Sequence, residues 1–67
     1  MSDVKFPDIL VELSSQDGNA LFIIGRTRRA MREAGVSNDE CNSFSKDAMS
    51  GDYDHVLQTV MRWVETS

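Results

Sequence analysis

The sequence predicts a mainly α, α+β fold in which an N-terminal β-strand is followed by three short helices packed on one small core. Three observations predict it. Ile9, Val11 and Leu13 alternate within a stretch rich in branched residues, which is the period of a strand with one buried face. Ser37 and Glu40 stand at the S-x-x-E spacing of a helix capping box. Tyr53, Val56, Leu57, Val60, Met61 and Val64 follow the i, i+3, i+4, i+7, i+8, i+11 pattern of a helix with one apolar face.

The strand is expected over about residues 4–13. Pro7 cannot donate a ladder hydrogen bond, so it belongs at an edge or at the strand's beginning. Ser14 to Asn19 reads as a loop by composition. Residues 20–24 admit two readings: a second hairpin strand with Asp17-Gly18 in the turn, or a helix capped by Asp17 or Asn19. The helix, over about 19–34, is preferred. It gathers Ala20, Ile23, Ile24, Thr27, Ala30, Met31 and Ala34 on one side and spreads the arginines over the other. Gly25 weakens this helix, since an interior glycine costs about 1 kcal/mol relative to alanine.

Gly35 stands where a left-handed residue ends a helix. The second helix, about 38–50, starts at Ser37, with Val36 placed to staple against Cys41, and buries Cys41, Phe44 and Ala48. Asp52 caps the third, about 53–65, and Trp63 widens its apolar face. The strand then lacks a partner for half of its backbone groups. A short second strand, the same strand of another subunit, or a foreign edge could supply it.

Sixty-seven residues hold one small domain, residues 1–67. A chain of this length buries only about 60% of its unfolded surface, which makes completion by a partner natural and a self-contained metabolic enzyme improbable. The composition, 40% hydrophobic and 27% charged, is that of a globular protein. No apolar run approaches a membrane span, and Met1 to Lys5 show no basic n-region followed by an apolar stretch. The single cysteine, Cys41, cannot form an internal disulfide, so a cytoplasmic location is the expectation.

The net charge of −4 is unevenly placed. Residues 18–35 hold Arg26, Arg28, Arg29 and Arg32 against Glu33, a local +3, while the rest of the chain carries −7. Such a cluster could hold phosphates, an RNA backbone or an acidic protein through forked hydrogen bonds. It could equally be a solvated face near a helix C-terminus, where positive charge is favoured. Phe22 lies on the wheel near Gly25, Arg26 and Arg29. It is read first as buried against the strand or a second subunit, and second as an exposed anchor, since aromatic plus arginine is the usual makeup of an interface hot spot.

Other candidate chemistry is weaker. Asp52, Asp54 and His55 suggest metal ligands, yet a helix start explains both acids, and no second histidine or cysteine pair is present. His55 shares a polar side with Gln58 and Arg62, whereas Cys41 points to the core, which speaks against a Cys–His dyad. No phosphate-binding glycine loop or nucleophile elbow occurs. No cofactor or metal is expected, and an enzyme is the least favoured class.

Residues 16–64 resemble a family of short, functionally uncharacterised proteins encoded by bacteria and their phages. The resemblance lies in Asp17-Gly18-Asn19-Ala20, Gly25-Arg26, Arg29-Ala30-Met31-Arg32, Ala34-Gly35-Val36, Ser50 to His55 and Met61-Arg62-Trp63-Val64. Phe22 departs from it, being bulky where a smaller residue is expected. A weaker similarity is to ribbon–helix–helix repressors, on the order strand, helix, Gly35-x-Ser37-x-x-Glu40, helix. It implies a homodimer whose paired strands enter the DNA major groove. The strand face bearing Leu10 and Glu12 is apolar and acidic, which suits that role poorly.

The function expected is therefore a small non-enzymatic protein-interaction or regulatory module. Its surface would be Phe22, Arg26, Arg28, Arg29 and Arg32, and its partner an acidic protein surface. Self-association through the strand is the other way of satisfying it. The resembled family has no established activity to transfer; given its phage connection, modulation or inhibition of a host protein complex is an extension of this expectation. A ribbon–helix–helix-like DNA-binding regulator and a structural subunit of a larger assembly are the alternatives.

Overall fold

A computed structural model describes residues 4–13 and 20–67. The elements run β1 (Phe6–Val11), α1 (Ala20–Glu33), α2 (Asn38–Ala48), α3 (Tyr53–Trp63) and β2 (Val64–Thr66). The α+β class and the order strand–helix–helix–helix are those expected, and residues 20–24 are helical. The expected loop at 14–19 and its capping residues lie outside the described residues.

The third helix is shorter than expected. It was predicted to reach residue 65, but it ends at Trp63, and Val64 turns extended at φ −137°, ψ 164°. The chain then pairs with β1 in parallel, Phe6 opposite Val64, Leu10 opposite Glu65 and Val11 opposite Thr66. The cause is non-local. Helical continuation would serve Val64–Thr66 alone, whereas the strand pairs them with one edge of β1, with Val64 and Thr66 as β-branched residues that suit a sheet. The partner missing from the sequence reading is thus the C-terminal end of the same chain.

The register jumps between Phe6 and Leu10, leaving Pro7, Asp8 and Ile9 as a bulge. Proline, which has no N–H to give, belongs in such a place. Beyond the regular pairs the ladder extends at both ends, with Lys5 N–H donating to Arg62 O at 2.9 Å and Leu13 N–H to Ser67 O at 3.0 Å.

The inner face of this two-stranded sheet contributes Ile9, Val11 and Val64 to the core, while Leu10 is exposed on the outer face. Against it lie Ile23, Ile24, Thr27 and Met31 of α1, then Cys41, Phe44 and Ala48 of α2, and Val56 and Val60 of α3. Thr27 and Thr59 bury their hydroxyls by donating back to the carbonyls of Ile23 and His55 at 2.9 and 2.7 Å. Two expected core positions are exposed instead, Ala34 and Met61. Ala34 lies past the end of α1. On α3 the buried face is rotated toward Trp63, so that Thr59 enters the core and Met61 leaves it.

Trp63 draws that rotation. Its ring meets Phe44 edge-on with centroids 5.6 Å apart and Phe6 at 6.1 Å, and the Lys5 ammonium sits 4.4 Å from its centroid. The half-buried indole thereby closes the core between β1, α2 and α3, as the sequence suggested.

The helix ends follow local chemistry. Gly35 adopts φ +92°, and Val36 N–H reaches Met31 O at 2.9 Å while Gly35 N–H reaches Arg32 O at 3.0 Å. These two bonds are the Schellman pair that closes a helix, and left-handed backbone favours glycine. Ser37 Oγ accepts from Glu40 N–H at 3.3 Å, and the Glu40 carboxylate reaches Lys5 Nζ at 3.0 Å, tying α2 to the start of β1. Asp52 Oδ1 accepts from His55 N–H at 3.0 Å.

One buried polar group stands out among the described residues. Ser45 is 7% exposed and its Oγ has no hydrogen-bond partner. A buried hydroxyl without a partner costs its desolvation. Ser45→Ala is expected to raise stability by about 1 kcal/mol, read as a higher urea midpoint with unchanged slope.

Candidate functional site

The arginine helix face is built by α1. Its apolar stripe is turned to the core, which leaves Phe22, Arg26, Arg29 and Arg32 exposed and Arg28 half-buried. Phe22 is 51% exposed, so it is not buried against the strand; within one chain it stands open either to a second subunit or to a partner. The Arg26 guanidinium lies 5.5 Å from its ring centroid, within cation–π range.

The four arginines differ in their engagements. Arg26 Nη1 donates to the carbonyl of Glu12 at 3.0 Å. The residues on either side of Glu12, Val11 and Leu13, bond to Ser67, so Arg26 ties α1 to the chain just after β1. Arg28 Nη2 donates to Asn42 Oδ1 at 3.2 Å, linking α1 to α2. Arg29 Nε meets Glu33 Oε2 at 3.4 Å, an i,i+4 pair with both side chains more than two-thirds exposed. Such a pair contributes little and is readily exchanged for a better anion. The Arg32 side chain has no ion pair among the described residues and stands in the last turn of α1, where the helix dipole favours a cation.

Two shallow depressions shape this face. One, of about 580 Å³, is lined by Gly25, Arg28, Arg29, Arg32 and Glu33. The other, of about 390 Å³, is lined by Leu21, Phe22, Gly25, Arg26 and Arg29. They share Gly25 and Arg29 and so form one trough, apolar at the start of α1 and cationic toward its end. The five residues expected from the sequence all border it. Gly25 and Leu21 were missed as parts of the site. The available signal was a glycine in the middle of a helix, on the side bearing the arginines.

The other cluster of polar side chains joins α2 to α3. His55 Nε2 lies 2.8 Å from Asp47 O, 3.0 Å from Ser50 Oγ and 3.8 Å from Asp47 Oδ1. Serine, histidine and aspartate thus meet, but all on one ring nitrogen. A nucleophilic relay needs the hydroxyl on one nitrogen and the carboxylate on the other. What the arrangement does is cap the end of α2: Asp47 O, a carbonyl in its last turn, takes Ser50 Oγ–H at 2.7 Å as well. Asp47 Oδ2 also lies 3.5 Å from Trp63 Nε1, extending the joint to the aromatic cluster.

Gly51 is required at this corner. A Cβ there would stand 2.7 Å from His55 Cβ and 2.8 Å from Cγ. These atoms are held by the start of α3, not by a free side-chain end. Gly51→Ala is expected to cost about 1–3 kcal/mol, as overpacking does; a melting temperature equal to wild type would contradict it.

Cys41 is fully buried in the core, with no hydrogen bond to His55 among the described residues. No group of three or more histidine, cysteine or acidic side chains that could hold a metal occurs among the described residues. Nor is any described helix long and apolar enough to cross a membrane. Comparison of the chain with family profiles, curated proteins and solved structures finds no match to any of them.

Proposed function

We propose that this protein is a non-enzymatic protein-interaction module whose working surface is the outer face of α1. Phe22, Arg26, Arg28, Arg29 and Arg32 take an acidic surface of another protein. The observation that carries the reading is the trough along α1, where a half-exposed phenylalanine adjoins the guanidinium groups of Arg28, Arg29 and Arg32, which make at most one exposed hydrogen bond or ion pair each among the described residues. Aromatic and arginine side chains are the residues most enriched at binding hot spots. The local charge of +3 on a body of −7 orients the molecule toward an acidic partner and accelerates the encounter. The resemblance to bacterial and phage proteins extends the reading to modulation or inhibition of a host protein complex.

The sheet gives less support to a ribbon–helix–helix regulator. That architecture pairs strands between subunits, whereas β1 is paired with β2 of its own chain.

The test is capture by the tagged protein from native lysate, comparing wild type with R28E/R29E/R32E and R28K/R29K/R32K. The glutamate variant is expected to lose the captured protein at an unchanged far-UV helical signal, and the lysine variant to retain part of it. Equal capture by wild type and the glutamate variant refutes the surface. Retardation of duplex DNA at low salt, with no protein captured, refutes the class of partner.

A further inference from the structure

The two depressions adjoin at Gly25, and the packing of the described residues does not account for the glycine. A Cβ built at Gly25 meets nothing within 4 Å among the described residues, and φ there is not positive. Alanine would fit without a clash and would favour the helix. What glycine offers in its place is a bare stretch of backbone that another group can approach closely. The two depressions meet at this residue, between Phe22 on one side and Arg28, Arg29 and Arg32 on the other.

Resting on the proposed function, we infer that Gly25 is the socket for one large apolar side chain of the partner, flanked in the partner by carboxylates. The apolar group seats over the bare backbone of α1 and against Phe22. Its neighbouring carboxylates take Arg29, exchanging the exposed Glu33 for a closer anion, and Arg32 beyond it. From Gly25 to Arg32 is about 10 Å along the helix axis. A leucine with glutamates three and four residues away on a helix spans about half of that, and its side chains reach the rest. A second α1 is a poor occupant, because two faces of +3 repel.

The probe is a synthetic alanine-based helical peptide of fifteen residues, with a central leucine and glutamates three and four positions to either side. Its affinity is measured by fluorescence anisotropy at low salt for wild type, G25L and R28E/R29E/R32E. G25L fills the socket with the chain's own side chain and keeps a good helix former in α1. It is expected to raise the melting temperature by about 4 °C while weakening the peptide at least tenfold. Replacing the peptide's leucine by alanine should weaken binding to wild type by a similar factor. Equal binding to G25L and wild type, or no binding to wild type at all, overturns the socket. Loss of binding in the glutamate variant with none in G25L overturns the socket and leaves the arginine surface standing. If neither variant changes the affinity, both readings fall.

Discussion

Ending the chain at Trp63, so that Val64–Ser67 are missing, is expected to leave the protein without a cooperative fold. Val64 is fully buried, and its side chain alone contributes about 1.5–2 kcal/mol of burial. The larger loss is to β1. Without β2 the backbone groups of Val11 and Leu13, now bonded to Ser67 at 3.2 and 3.0 Å, have no strand to meet. Each such bond is worth about 0.5–1.5 kcal/mol net, and a buried group left unpaired costs more. A domain of this size has a total stability of about 3–10 kcal/mol. The chain contains one tryptophan, so the check is its fluorescence together with a thermal melt. The truncated protein should resemble the urea-unfolded chain; a sigmoidal melt within a few degrees of wild type would contradict the role given to β2.

Trp63→Ala is expected to cost about 3–5 kcal/mol, the usual loss for truncating a large aromatic in a core. The indole is where β1, α2 and α3 touch, through Phe6 at 6.1 Å, Phe44 at 5.6 Å and Asp47 at 3.5 Å. Its removal also takes the ring from under Lys5, which bridges to Glu40. Trp63→Phe should keep the edge contact with Phe44 and cost much less. Urea titrations followed by circular dichroism separate the two variants. Similar midpoints for both would mean that the ring cluster does not close the core.

The parts of this fold legible in the sequence are those decided within a few residues. Gly35, Ser37 and Asp52 end or begin helices through bonds spanning three to five positions, and each stands where its residue type predicted. The end of α3 was not legible. Val64 fits the helical pattern as well as any residue before it, and only pairing with β1, nearly sixty positions away, makes it a strand. The rotation of α3 that buries Thr59 and exposes Met61 has a similar origin, since it depends on where Phe44 and Phe6 stand.

The candidate site divides in the same way. That α1 carries an arginine face follows from its own period, and Phe22 among the arginines was visible on the wheel. What each arginine does was not. Arg26 and Arg28 find their partners, Glu12 and Asn42, fourteen residues away in opposite directions along the chain. Gly25 reads in the sequence only as a weak point of the helix; that it lines both depressions depends on the three-dimensional surface.

In this fold β1 finds its strand partner, β2, within its own chain, and the proposed function needs no second copy to complete the sheet. Light scattering after size exclusion, at two concentrations and moderate salt, tests it most directly. One species of 7.5 kDa is expected at both concentrations. A stable mass of twice that value, unchanged in R28E/R29E/R32E, would contradict it, because the strand or the sheet face would then be satisfied by a second copy.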